Sequence, residues 1–228
     1  MIRPVHNPAG RQSTQMQHKD LADARADAGF AFPSPLPPID HDPRITIVSG
    51  LPRSGTSLMM QMLSAGGMTV LTDGCRTADI SNPAGYFELE AVKQTRTNTA
   101  WLTHAAGSAV KVIYRLLYDL PLNRRYRILF MRRNIGEVIA SQRAMLGLLS
   151  ENADGSRRLA DIFTRELAQI DAWLAAKAQF QVLHVDHAQV LASPHATAEA
   201  VAAFLDRRLD LNLMCQAVKP ALYRQKCR

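Results

Sequence analysis

Apolar residues in this chain occur either in short runs closed by glycine or in longer stretches where they recur every third or fourth position. "RITIVSG" (Arg44–Gly50) is a β-branched run ending in glycine, the form of a strand buried on both faces. Just beyond it Leu58, Met59, Met62 and Leu63 recur at helical spacing, with Gln61 and Ser64 off that face. A second strand is expected at Ala109–Ile113. A third, "RILFMRR" (Arg127–Arg133), leads into a helix carrying Ile135, Val138, Ile139, Met145 and Leu146 on one face. Arg157 to Ala178 reads as a long amphipathic helix with Leu159, Ile162, Phe163, Leu167, Ile170, Trp173 and Leu174 as its buried stripe. "FQVLHV" (Phe180–Val185) is a further strand. Ser193 followed by Pro194 then reads as an N-cap with proline in the first turn, opening a helix through Leu205. Strands alternating with helices predict an α/β fold, a P-loop-type parallel β-sheet flanked by helices on both faces in a single domain.

Residues 1–43 depart from this pattern. They are rich in Pro, Asp, Arg and Gln and end in "FPSPLPPIDHDP", which is extended and cannot be helix. They are expected to form a Pro-rich arm, partly disordered, with a short helix around Met16–Ala28 as one option; residues 44–228 form the domain. A length of 228 residues suits that division. Apolar residues make up 47% and charged ones 21%, which describes a folded chain rather than a disordered one. No apolar run reaches transmembrane length and the first twenty residues hold no secretory segment, so a cytoplasmic location is the expectation.

The three cysteines, Cys75, Cys215 and Cys227, have no ligand spacing and read as free thiols, and the seven scattered histidines form no metal pair. No metal is expected. The net charge of +7 fits a polyanionic ligand, or simply a basic surface that aids solubility. No arginine-rich run carries interleaved aromatics, which makes nucleic-acid binding the weaker option.

The chemistry concentrates in "ITIVSGLPRSGTSL" (Ile45–Leu58). A strand turning through glycines into a helix aims backbone N–H groups and a positive helix end at one point, an anion site whatever the side chains. Triphosphate loops place a lysine after the second glycine and a metal-binding Ser or Thr next to it. Here Thr56 stands where that lysine would be, and the cation is Arg53 inside the loop. "RILFMRR" ends in two arginines rather than a metal-holding aspartate. Such a loop suits an anion that needs no magnesium. A plain connecting turn would not need Arg53, Ser54, Thr56 and Ser57 together. In "FMRRNIGEVIASQ", Arg133 ends a strand and Ser141 follows eight residues on, placed to close on a second phosphate at the strand carboxyl ends. Alone these would read as a solvated arginine and a helix-face serine.

Together the motifs resemble the sulfotransferases that use 3′-phosphoadenosine 5′-phosphosulfate. "GLPRSGTSL" is similar to the family's 5′-phosphosulfate loop, in the arginine version of protein-tyrosine and many bacterial members. "RRNIGEVIASQ" is similar to its 3′-phosphate motif, with Ile135 where a proline is usual. "LHVDHAQVLASPHATAEAVAAFL" resembles a late strand–helix unit, with Asp186-His187 in place of the common Tyr-Glu pair. The resemblance implies sulfuryl transfer to a hydroxyl or amine, with adenosine 3′,5′-bisphosphate as product. It also implies roles: Arg53 at the bridging oxygen and sulfuryl group; the N–H groups of Ser54 and Gly55 and the hydroxyls of Thr56 and Ser57 around the 5′-phosphate; Arg133 and Ser141 at the 3′-phosphate. Lys111 falls where the family often carries a lysine that touches the sulfuryl group; a strand-end lysine in solvent is the alternative.

An acceptor hydroxyl needs a general base. The histidine of cytosolic aryl and steroid enzymes is replaced by Ile113. The glutamate of protein-tyrosine enzymes matches the region "VLTDGCRTAD", in which Asp73 falls within a residue of that carboxylate and Arg76 follows. "NPAGYFELE" offers Glu88, with Glu90 and His104 as lesser candidates. Asp73 ranks just ahead of Glu88, although Asp73 could be a turn residue before Gly74 and Glu88 a first-turn carboxylate of the next helix. The acceptor itself, whether sugar, peptide tyrosine, lipid or small metabolite, is open. The rival readings are a P-loop kinase or hydrolase, an inert nucleotide-binding module, and a nucleic-acid binder. The basic C-terminus, with Lys219 and Arg224, either folds over the nucleotide or is a solvated tail.

Overall fold

The computed structural model describes residues 44–79, 82–147, 153–219 and 221. The expected N-terminal arm with its optional helix, and Arg224, lie outside these residues. Five strands form one parallel sheet: β1 (Ile45–Gly50), β2 (Val70–Leu71), β3 (Ala109–Lys111), β4 (Tyr126–Arg132) and β5 (Phe180–Asp186), in the order β2–β3–β1–β4–β5. Successive side chains of a strand point to opposite faces, and each face here has its own core. Ile45 and Ile47 meet Val110, Tyr126, Ile128 and Phe130 on one side; Val48 meets Ala109, Leu129 and Met131 on the other.

Helices close both faces, as the strand–helix alternation predicts. The first core is covered by α2 (Ile135–Met145) and α3 (Ala153–Ala175), which bury Val138, Ile139, Phe163, Ile170 and Leu174 there. The second is covered by α1 (Thr56–Ala65), α5 (Pro194–Leu205) and α6 (Leu211–Gln216). α1 contributes Met59, Met60, Met62 and Leu63, all fully buried. Each such side chain is worth roughly 1.5–3 kcal/mol by transfer from water, before chain entropy is charged against it.

The structure departs from the expected elements in instructive places. α3 begins and ends earlier than the apolar pattern suggests, and Ile162 is exposed. Phe163, Leu167, Ile170 and Leu174 fall in one row at spacings of three and four, whereas Ile162 sits one 100° step towards solvent. Met145 and Leu146 also leave the buried face expected of them; α2 ends at Met145, and its last turn overhangs a cavity rather than the core. Ser193 occupies the N-cap position of α5, but its side chain makes no capping bond. The short helix α4 (His187–Ala192) is set by Asp186, whose Oδ1 accepts from the N–H groups of Ala188 (2.8 Å) and Gln189 (3.1 Å). No helix among the described residues is long and apolar enough to cross a membrane.

Candidate active site

β1 lies in the middle of the sheet, with β3 on one side and β4 on the other, so the chain leaves its neighbours' carboxyl ends in opposite directions. Such a point opens a crevice in a parallel sheet. The loop of residues 51–55 fills it. Gly50 has φ 147°, and a Cβ there would lie 2.6 Å from the Met131 carbonyl oxygen. Gly55, the N-cap of α1, has φ 103°, and a Cβ there would meet His187 at 2.6 Å. Both positions require glycine. Arg53 is different: it has a side chain and still adopts φ 75°, in the left-handed region.

The first intrahelical bond of α1 runs from Met59 N–H to the Gly55 carbonyl, which leaves the N–H groups before it directed at the crevice. No acidic side chain stands in that first turn. The Ser54 N–H is already given to the Leu51 carbonyl at 3.1 Å. Its hydroxyl, only 1% of the residue's surface being exposed, has no hydrogen-bond partner among the described residues. That hydroxyl lies beside Gly50, beneath the loop, and Ser54 is not among the residues that line the crevice, so neither its N–H nor its hydroxyl is offered there. Gly55, Thr56 and Ser57 do line it, and with the open end of α1 they fit a bound phosphate.

The two separated motifs meet here. Arg53 Nε donates to Ser141 Oγ at 3.0 Å, and Arg133 donates to the Arg53 carbonyl at 3.1 Å. Gln142 Nε2 donates to the Pro52 carbonyl at 3.1 Å. Arg133 is in turn fixed by Glu137, through Nε to Oε2 at 2.9 Å, and Asn134 caps that turn of α2 by accepting from the Glu137 N–H. Burial lowers the pKa of Arg53, with Tyr86 raising it and neighbouring Arg133 lowering it further. An arginine tolerates this as a cation where a lysine would not.

Beside the loop stands Lys111 at the end of β3. Its side chain is 11% exposed, so it is not a solvated strand-end lysine. Nζ donates to the Tyr86 carbonyl (2.9 Å) and Ser57 Oγ (3.3 Å) and lies 3.5 Å from Glu88 Oε1. Burial lowers the Lys111 pKa, with the Glu88 carboxylate opposing. Glu88 Oε1 also accepts from Arg76 at 3.0 Å, and Arg76 stacks on the Tyr86 ring at 3.5 Å. Tyr86 OH donates to Asp79 at 2.8 Å, while Asn82 Nδ2 donates to Ser57 Oγ at 3.0 Å. Arg76, Asn82, Tyr86 and Glu88 are thus stapled across the start of α1.

These groups, Asp79 excepted, line a cavity of about 440 Å³ that includes Arg53, Gly55, Thr56, Ser57, Arg133 and Ser141. Its charged walls are Arg53, Arg76, Lys111, Arg133 and Lys219 against the single carboxylate of Glu88. Asp73 is not part of the wall. Its Oδ1 accepts from the Cys75 N–H (2.9 Å) and its Oδ2 from the Glu90 N–H (2.5 Å). Burial raises its pKa, but the N–H groups of Glu90 and Cys75 outweigh that and hold it low. Glu90 is exposed and paired with Lys93; His104 is exposed at the end of a 3₁₀ turn. Neither lines the cavity.

Sequence reasoning did not single out Asn82, Tyr86, Glu137 or His187. His187 is buried at the cavity wall against Gly55, and burial, then Arg133, pushes its pKa down to about 4. The available signal was the Asp186 N-cap, which places His187 at the first helical position.

No protein-family model matches the chain, and neither does any curated protein. Among solved structures the chain is similar to the sulfotransferase domain from the curacin biosynthetic pathway, at 16% sequence identity over 78% of each chain with a TM-score of 0.46.

Proposed function

We propose that the protein is a sulfotransferase that takes a sulfuryl group from 3′-phosphoadenosine 5′-phosphosulfate and passes it to a hydroxyl or amine. The observation that carries this reading is the meeting of Arg53, Ser141 and Arg133 in a crevice where five cations face one carboxylate. Loose, anionic transition states of group transfer are stabilised by cations already in position.

The hydroxyls of Thr56 and Ser57 and the N–H groups opening α1 hold the 5′-phosphate. Arg133 and Ser141 serve the 3′-phosphate end, and Arg53 serves the bridging oxygen. Lys111, at hydrogen-bond distance from Ser57, stands by the sulfuryl oxygens. Glu88 is the better base than Asp73: it lines the cavity beside Lys111, whereas both Asp73 oxygens are spent on backbone N–H groups. The acceptor oxygen bonds to sulfur, the bond from sulfur to the phosphate oxygen breaks with its electron pair on that oxygen, and Glu88 takes the acceptor's proton.

Calorimetry with adenosine 3′,5′-bisphosphate and with ATP, each with and without magnesium, tests the reading. Metal-independent preference for the bisphosphate is the expected result. Preference for ATP with magnesium would overturn it in favour of a kinase or hydrolase.

A further inference from the structure

We propose that the amino-terminal edge of the sheet, at the far end of the strands from the crevice, is a docking face for an anionic lipid surface. Tyr118 and Leu122 enter the headgroup layer, backed by Trp173, while Arg124, Arg125 and Lys177 lie against its negative charge. None of these residues belongs to the crevice, so the contact stands apart from the sulfuryl-transfer reading.

β4 opens at Tyr126 and β5 at Phe180, and the turns that precede them lie side by side, the Tyr126 N–H donating to the Gln179 carbonyl at 2.9 Å. Between the turns is an open hollow of about 290 Å³ lined by Leu122, Asn123, Arg124, Arg125, Ala178 and Gln179. Aromatic rings continue this surface. Tyr126 stacks on Phe180 with centroids 5.3 Å apart, Phe180 lies 5.1 Å from Trp173, and Trp173 meets Tyr118 edge-on at 4.9 Å. The inner rings of this row are buried, but Tyr118 is 44% exposed, Leu122 42%, and Trp173 is half-buried. Single apolar side chains in water are ordinary; three at one edge, joined to a hollow, form a patch.

The charge of the patch says what covers it. Arg124 and Arg125 are exposed, and Lys177 stands four residues on from Trp173 in the turn before β5. The nearest carboxylates are engaged elsewhere: Asp119 pairs with Arg96 at 3.5 Å, and Glu166 with Arg115 and Tyr114. Cations next to exposed Tyr, Trp and Leu, with no carboxylate between them, match the composition of a surface that rests on anionic lipid. A second copy of the chain fits worse, because a two-fold contact here would set these arginines against their own counterparts. Docked in this way, the chain keeps the carboxyl ends of its strands, and the crevice with them, turned to water.

The test sediments the whole chain with vesicles of phosphatidylcholine alone and of phosphatidylcholine mixed with phosphatidylserine. Binding to the mixed vesicles should be at least about tenfold tighter and should weaken as salt is added. Arg124→Gln combined with Arg125→Gln should weaken it by more than about tenfold, at roughly fivefold for each cation. Leu122→Ser, which leaves the charge unchanged, should weaken it about fivefold through the lost apolar contact. Equal binding to the two kinds of vesicle, or binding to neither, overturns the proposal. Undiminished binding by the double arginine variant also overturns it, by giving the lipid contact to the cationic crevice or to another surface. Undiminished binding by Leu122→Ser, together with equally tight binding of a short DNA duplex by the parent chain, overturns it in favour of a nucleic acid.

Discussion

Arg132 and Arg133 leave β4 on successive residues and enter opposite surroundings. Arg132 lies outside the site: its guanidinium grips both oxygens of Asp171 on α3, its Nε donates to His184 Nδ1 at 3.1 Å, and it packs over the Phe130 ring. Arg133 turns inward, is nearly buried, and divides its donors between Glu137 and the carbonyl of a left-handed Arg53. The outer arginine ties a strand to a helix through a partner half in water. The inner one holds the backbone of the loop between β1 and α1, in a cavity where cations outnumber carboxylates. Residue type does not separate the two roles; burial and the local surplus of positive charge do.

The sharpest way to break this comparison is at the loop itself. Arg53→Ala should lower sulfated-product formation by about 10²–10³-fold in a radiolabelled-donor assay, the scale of losing one preorganised charge-stabilising donor. The two ion pairs come next. Glu137→Gln should cost about 3 kcal/mol in urea unfolding, because it strands a buried arginine, whereas Asp171→Asn should cost less than about 1 kcal/mol. Equal costs would mean that the inner and outer pairs do not differ as described.

Two carboxylates can then be separated. Glu88→Gln should lower turnover about 10²-fold with little change in bisphosphate affinity, and Asp73→Asn should stay within about threefold of the parent. The reverse ranking would return the base to Asp73.

The smallest effect is a pH dependence on the inner side. His187 stays neutral in the folded protein down to about pH 4, while the unfolded chain takes up its proton near 6.5. The unfolded state therefore binds more protons between those values, and stability falls as the pH drops through that window. The loss between pH 7 and pH 5 should be about 2 kcal/mol, and His187→Gln should flatten that part of the profile. Denaturation midpoints at the two pH values measure it.

Much of the frame was legible because it is local. The β-branched run at Arg44–Gly50, the run at Arg127–Arg133 and the spacing of Met59, Met62 and Leu63 announce themselves without reference to the rest of the chain, and each lies within a residue of the element it predicts. Arg53, Arg133 and Ser141 could be named as partners because a strand's carboxyl end and the first turns of the next helix have a known meeting place in a parallel sheet. The places of Arg76, Asn82, Tyr86 and Glu88 were not legible in the same way. They are set by a cation stacked on Tyr86, a tyrosine on Asp79 and an asparagine on Ser57, and no periodicity records such contacts. That is also why the sequence puts Asp73 ahead of Glu88 and the site geometry favours the reverse: which carboxylate is spent on backbone N–H groups depends on how the loop folds. Met145 and Leu146 leave the buried face because the last turn of α2 runs past the core, and an apolar stripe does not record where the core ends.

The left-handed residue in the loop has an evolutionary consequence. At position 53 the backbone would be eased by glycine, by about 1 kcal/mol, and only the guanidinium argues against it. Selection for heat tolerance alone would be expected to find Arg53→Gly early and, on the proposed reading, to deliver a sturdier protein with much weaker chemistry. A naturally occurring chain with this fold and that replacement would be a pseudoenzyme by the same logic. On the sulfuryl-transfer reading proposed above, the residue at this one codon would tell whether a lineage was kept for its reaction or only for its scaffold.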